Sequence, residues 1–275
     1  MTATAIDETR AAWDGIAAGY DEFVTPTEAT LADEALRRAG LRPGMRFLDV
    51  AAGTGGLSLP AARLGAHVLA TDLSPKMLER LLAHASAERL DVEARVMDGH
   101  ELQLEDDTFD LTASQFGVML FPDLPRALAE MVRVTKRGGR VLMIAYGPPT
   151  QIDFLGFFLG AVQSVVPGFP GLPDEPPPLE FQVADPERLR ERLDEAGLHD
   201  VRIEPSVERL VFASGTELWD WVLNSNPIVG HVVADLHDEQ RADVRRALDG
   251  MVRERAGTGD EAVLSGPVNI GIGTK

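Results

Sequence analysis

The sequence predicts an α/β protein: a doubly wound, mostly parallel sheet with helices on both faces, plus a helical cap. Three observations predict it. Short β-favouring apolar runs alternate with segments of helical periodicity through residue 146, the pattern of a parallel sheet wrapped by crossover helices. The first run, Phe47–Val50, carries Asp49 and opens into the glycine loop AAGTGG. Beyond residue 147 the alternation stops, and an apolar stretch, a proline-rich connector and a long helical block follow.

Residues 5–24 place Ile6, Trp13, Ile16, Ala17, Tyr20 and Phe23 near a helical period. Such a helix either packs its apolar face on a core or forms a lid, since Trp13 and Tyr20 combine aromatic surface with a polar tip. Residues 27–39 make a second helix that Gly40 ends. Pro43-Gly44 turns the chain into the first strand. In the loop that follows, Gly53 and Gly55 lack a Cβ, so a ligand can lie against bare backbone, and the open amides of the next helix favour anionic groups. In that helix Pro60 must sit in the first turn or kink it.

The second strand, 66–71, ends at Asp72, 19 residues after Gly53, a place from which an acid can hold ribose hydroxyls. Ser74 and Pro75 then start a helix as N-cap and first residue, leaving Asp72 free for a ligand. Strands over 92–97 and 109–114 follow, then a helix with Leu124, Leu128, Met131, Val132 and Val134 on one face. Residues 136–139 stop that helix before a fifth strand, RVLMIAY. Residues 152–166 are an apolar helix, and prolines 167, 170, 173, 176, 177 and 178 stiffen an extended connector. A helix from Asp185 to Gly197, a strand over 200–213, a helical block over 216–255 and a last strand, PVNIGIGTK, complete the chain. The helical block reads as an excursion from one sheet and not as a separate domain.

The net charge of −18 argues against nucleic acid, whose recognition needs clustered Lys and Arg. The absence of cysteine removes disulfides, thiolate metal sites and cysteine nucleophiles. The first residues lack the apolar core of a signal peptide, and the longest apolar run, Phe154–Val162, is too short to span a bilayer. These features predict a cytoplasmic protein with no membrane partner. No His-x-x-x-His or acidic cluster suggests a metal.

The motifs WDGIAAGYD, LDVAAGTGG, ATDLSPKML, VMDGHEL, FDLTASQFGVML and TKRGG together make the chain resemble the class I S-adenosylmethionine (SAM) dependent methyltransferases. Within them it is similar to the ubiquinone/menaquinone-methyltransferase-like branch acting on small molecules. The resemblance implies a Rossmann-like, seven-stranded sheet whose last strand is antiparallel. It implies one domain: an N-terminal helical lid (5–40), a SAM-binding core (41–147), cap segments (148–184 and 214–260) and remaining sheet elements (185–213 and 261–275).

The resemblance also implies roles. Asp49, Ala51, Gly53 and Gly55 would bind the methionine part of SAM, and Asp72 the ribose, with Leu73 and Met77 lining the adenine. Asp98 would accept from the adenine amino group, and Gly99 would leave room for the ring. Ser114 and Phe116 would sit near the sulfonium, and Tyr20 would close over the amino-acid end. The family usually has Gly where this chain has Ala51, and a methyl is expected to fit there. Catalytic candidates are Tyr20 and His231, the latter as a general base or a packed cap histidine; His100 is read as adenine wall.

A nicotinamide dinucleotide is the main rival ligand, but Ser58 stands where its fingerprint wants a third glycine or alanine. The expected function is methyl transfer to a small hydrophobic or aromatic metabolite, with O-, N- and C-methylation open. Phe154, Phe157, Phe158, Trp219 and Trp221 either line that substrate's site or form the cap's own core. The alternatives are a SAM-fold cyclase or decarboxylase and a non-catalytic SAM-binding module. The expected state is a monomer or homodimer.

Overall fold

The computed structural model describes residues 3–173, 176–227 and 233–275. Seven strands form one sheet: β1 (Arg46–Val50), β2 (His67–Asp72), β3 (Val92–Val96), β4 (Phe109–Gln115), β5 (Thr135–Tyr146), β6 (His199–Phe212) and β7 (Ala262–Thr274). Their spatial order is β3-β2-β1-β4-β5-β7-β6. The first five run parallel, and β7 lies antiparallel between β5 and β6. The order reverses between β1 and β4, and ligands of such sheets bind beyond the strand ends at that switch.

Alternation along each strand assigns the two faces. Leu48 and Val50 pack with Leu124, Leu128 and Met131 of α5 (Leu124–Val134) and with Leu189 and Leu193 of α7 (Pro186–Glu195). Phe47 and Val68 point the other way, onto α2 (Thr25–Ala39) and α3 (Ser58–Arg63). Helix α4 (Pro75–Glu88) adds Leu78 and Leu81 against Ala70. The Ser74 side chain accepts from Met77 N as its cap.

Three boundaries differ from the sequence reading. Helix α1 (Ala3–Gly19) does not end before α2; a π-helical turn, Tyr20–Val24, joins them, closed by Thr25 N–H donating to the Tyr20 carbonyl. Pro26 sits where its missing N–H costs nothing, in the first turn of α2. Strand β5 begins at Thr135, and TKRGG is a bulge within it: the register slips as Phe109 pairs Thr135 and Leu111 pairs Arg140. Gly138 (φ +75) turns there and donates to the Lys275 carbonyl. Strand β7 starts at Ala262, so the β6–β7 ladder continues past Val268, where β7 leaves β5.

That extension carries the cap. The ladder from 207 to 212 against 262 to 267 rises above the carboxyl end of the sheet. Leu210, Phe212, Ala262 and Leu264 of it share a core with Phe158, Trp219 and Val244. These come from α6 (Asp153–Val165), α8 (Gly215–Ser225) and α9 (Asp238–Ala256), the last two lying between β6 and β7 in sequence. Among the described residues no helix is long and apolar enough to cross a membrane.

Candidate functional site

A cavity of about 390 Å³ lies over the carboxyl ends of β1, β2 and β4. The glycine loop forms its floor. Gly53 (φ +55) and Gly55 (φ +103) hold left-handed backbone that costs glycine little. Ala51 (φ +57) holds the same region without that freedom, and so does Phe116 (φ +56) at the end of β4. Strained non-glycine residues of this kind concentrate at functional sites. Position 51 thus has a backbone reason to favour glycine.

Asp72 faces this cavity from the tip of β2. Its Oδ2 accepts from Gly53 N (2.9 Å) and its Oδ1 from Ser74 N (2.8 Å), so it ties the loop to α4. Burial raises its pKa, against those two bonds. A carboxylate has about four acceptor positions, which leaves two for hydroxyl groups in the cavity. Asp98 differs: burial pushes its pKa up, but bonds to Oδ1 from His100 N (2.9 Å) and Nδ1 (2.7 Å) outweigh it and hold the pKa below the ordinary value. His100 is buried against Phe121 with centroids 4.6 Å apart, its Nε2 unpartnered. Both line the cavity with Leu73, Met77 and Gly99.

Tyr20, Ala51, Gly53 and Phe116 are also in this lining. Three predicted residues are not. Gly55 faces inward, where an added Cβ would meet Leu59 and Leu81 at 3.0 Å. Ser114 is fully buried and accepts from Val118 N (3.0 Å), so it braces the turn after β4 and does not reach the cavity. Asp49 lies beneath the loop, accepting from Ser58 Oγ (2.6 Å), and borders only a small pocket of about 20 Å³. Burial raises its pKa to about 7. The predicted base His231 lies outside the described residues.

The N-terminal helix forms one wall of the cavity through Glu8, Thr9, Ala12 and Trp13. It is pinned to α4: Arg10 Nε donates to the Leu73 carbonyl (3.3 Å), and Ser74 Oγ donates to Asp14.

A second chamber of about 400 Å³ adjoins the first beneath the cap, and Trp13, Tyr20, Phe116, Leu120, Leu179 and Asn226 border both. Its walls are mainly apolar. Phe154, Phe158 and Trp221 line it, while Trp219 is 1% exposed in the cap core and Phe157 lies under the Arg255 guanidinium, 5.2 Å from its ring centroid. The aromatic residues of the cap are therefore divided between chamber wall and core.

Two buried acid–phenol pairs border this chamber, and the sequence reading missed both. Tyr20 Oη donates to Glu28 Oε1 (2.8 Å). Burial pushes Glu28 up to about 8, opposed by that bond and helped by the charges of Glu208 and Asp49. Burial likewise raises Glu208 to about 7, opposed by its bond from Tyr146. Both tyrosines are pushed above their ordinary value, chiefly by burial. A sequence signal existed: Glu28 falls on the apolar stripe of α2 with Leu31, Ala32 and Ala35, and Glu208 has the inward parity of Leu210 and Phe212. Among the described residues no cluster of three or more His, Asp or Glu is placed to hold a metal ion.

A methyltransferase-domain family model matches residues 48–143. Demethylmenaquinone methyltransferase of Streptomyces griseus is 33% identical over 165 residues, covering 58% of this chain and 70% of that protein. An uncharacterized protein of Mycobacterium tuberculosis is 41% identical over 129 residues, covering 47% of this chain and 46% of that protein. This match spans about half the length of that relative. The fold is shared by phosphoethanolamine N-methyltransferase 2 of Haemonchus contortus, solved with SAM, at a TM-score of 0.54 and 19% identity over 90% of this chain and 52% of that one. The chain belongs to the class I SAM-dependent methyltransferases, whose cofactor is S-adenosylmethionine.

The residues present fit that cofactor. The first cavity has the size of a small-molecule site. Its floor is bare glycine backbone at Gly53, and Asp72 faces it at the tip of β2. At Gly99 a Cβ would stand 2.7 Å from the Phe121 ring, so glycine is required for that wall to close.

Proposed function

We propose that this protein transfers a methyl group from SAM to a small, hydrophobic or aromatic metabolite by in-line displacement. One observation carries the reading: the cofactor-sized cavity and the apolar chamber meet at Tyr20, Phe116 and Leu120, so donor and acceptor can be held end to end. SAM supplies, when bound, a methyl already activated on a sulfonium. What remains for the protein is to align the partners and exclude water.

In this reading Asp72 holds the ribose hydroxyls and Gly53 presents backbone to the methionine part. Leu73, Met77, Asp98 and Gly99 surround the adenine, and Ala51 and Phe116 flank the reacting end. Tyr20 stands at the junction, where it closes the amino-acid end and orients the acceptor; Glu28 fixes its hydroxyl. The cap walls Phe154, Phe158 and Trp221 keep the acceptor dry. A net charge of −18 favours a small molecule over nucleic acid.

The test is incubation with methyl-labelled SAM and a metabolite panel, read by mass spectrometry. Labelled product with matching S-adenosylhomocysteine is expected. Product without label would replace this reading with a cyclase or decarboxylase on the same fold. Absence of SAM binding by calorimetry, in a folded sample, would reject the enzyme altogether.

A further inference from the structure

The chamber beneath the cap contains more buried acid than its apolar walls require. Glu208 is 4% exposed and borders the chamber, with the Tyr146 hydroxyl as its hydrogen-bonding neighbour. Its Oε2 is buried with no partner. Glu180 borders the same space from the connector; its Oε1 accepts from Asn226 Nδ2 (2.7 Å), and its Oε2 is also buried and unpartnered. Glu28 stands at the junction with one oxygen held by Tyr20. Among the described residues lining the chamber there is no Lys, Arg or His.

Unpaired carboxyl oxygens in an apolar wall are unfavourable in the empty protein. Glu208 and Glu180, each with a free oxygen and without a cation among the described lining residues, are complementary to something that brings donors with it. They are the opposite of what a carboxylate or phosphate group would need. Beside the ionised carboxylates of Glu208 and Glu180, an incoming anion would add like charge and leave their free oxygens unpaired.

We propose that the chamber takes an apolar molecule with a hydrogen-bond-donating head group, an amine or a hydroxyl, received by Glu208 and Glu180, and that it rejects carboxylates and phosphates. The proposal rests on the reading of this chamber as the acceptor's site. An ammonium would be met by ionised carboxylates, and a hydroxyl would be accepted by the free oxygens. In either case the donor satisfies atoms that no other described residue of the chamber reaches.

The experiment uses the full chain and four probes that share a phenyl body: phenethylamine, 4-ethylphenol, 3-phenylpropionate and ethylbenzene. Affinity for S-adenosylhomocysteine is measured first by calorimetry. The probes are then titrated into the protein saturated with it, at about pH 7.5. One or both donor-bearing probes should bind at least about tenfold tighter than 3-phenylpropionate and ethylbenzene. The order of amine and phenol identifies which donor the site takes. Glu208→Gln, which keeps shape and one acceptor but removes the charge, should cut that advantage by about tenfold with S-adenosylhomocysteine affinity unchanged.

Equal or tighter binding of 3-phenylpropionate would overturn the proposal. So would the absence of binding by every probe at millimolar concentration while S-adenosylhomocysteine binds. Failure of S-adenosylhomocysteine to bind would instead strike at the methyl-transfer reading, and the head-group ranking, measured without it, would still decide the chamber's preference.

Discussion

Glu28 offers a quantitative test of the buried acids. It is 5% exposed, and burial raises its pKa from 4.5 to about 8. A carboxyl raised in the folded state holds its proton there while the unfolded chain has already lost its own. Between about pH 4.5 and 8 the native state therefore binds more protons, and stability falls as pH rises through that window. From pH 5.5 to 8 the interval is about 2.5 pH units. At about 1.4 kcal/mol per unit, less the partial titration near the top, Glu28 should remove on the order of 3 kcal/mol. Glu28→Gln keeps an acceptor for the Tyr20 hydroxyl and has no proton to lose. Urea denaturation of both proteins at pH 5.5 and 8 measures the effect, as the difference between their pH-dependent losses. Glu208 and Asp49, each raised to about 7, add to the slope in both proteins, so the difference contains Glu28 and its charge coupling to these two acids. Equal losses would show that Glu28 ionises normally, and the account of a desolvated junction would fall.

Other outcomes follow from the same geometry. Asp72→Ala should weaken SAM binding by about 1–3 kcal/mol in calorimetry, because it removes hydroxyl acceptors and frees Gly53 from its tie; unchanged affinity would refute the ribose assignment. Ala51→Gly relieves left-handed strain of about 1–2 kcal/mol but loosens the unfolded chain by about 0.5–1, so thermal denaturation should show a small gain in stability. A clear loss would contradict the strain. Trp219→Ala should cost about 3–5 kcal/mol in denaturant titrations, as a large core side chain. Trp221→Ala should in addition weaken binding of apolar probes in the chamber it lines, an effect Trp219→Ala should lack.

The helix α4 start and the tip of β2 were legible because their signals are local. Ser74-Pro75 is a cap pair whichever fold surrounds it, and Asp72 must end a strand that precedes such a cap. The bulge at 136–139 was not legible, since a Lys-Arg-Gly-Gly stretch looks the same as a turn before a strand or a slip within one. Only the pairing of Thr135 with Phe109 distinguishes them. The N-terminal helices illustrate the same limit: the sequence reads as two helices, 5–24 and 27–39, yet a π-turn at Tyr20–Val24 joins them and brings Glu28 beneath the glycine loop. An alanine Cβ at Gly56 would stand 1.9 Å from Glu28 Oε2, so that approach depends on a glycine whose purpose cannot be read one-dimensionally.

By itself, then, the sequence determined the alternation of strands and helices, the glycine loop and the acids at the tips of β2 and β3. Each is set by backbone preferences and side-chain period acting over a few residues. The tertiary structure alone decided which of these groups face the cavity. Ser114 and Gly55 turned inward, Asp49 sank beneath the loop, and Trp219 went to the cap core. It also decided that Glu28, Glu180 and Glu208, separated by up to 180 residues, border one apolar chamber. That meeting depends on the long β6–β7 ladder lifting the cap over the sheet, a contact between distant segments that no local pattern encodes.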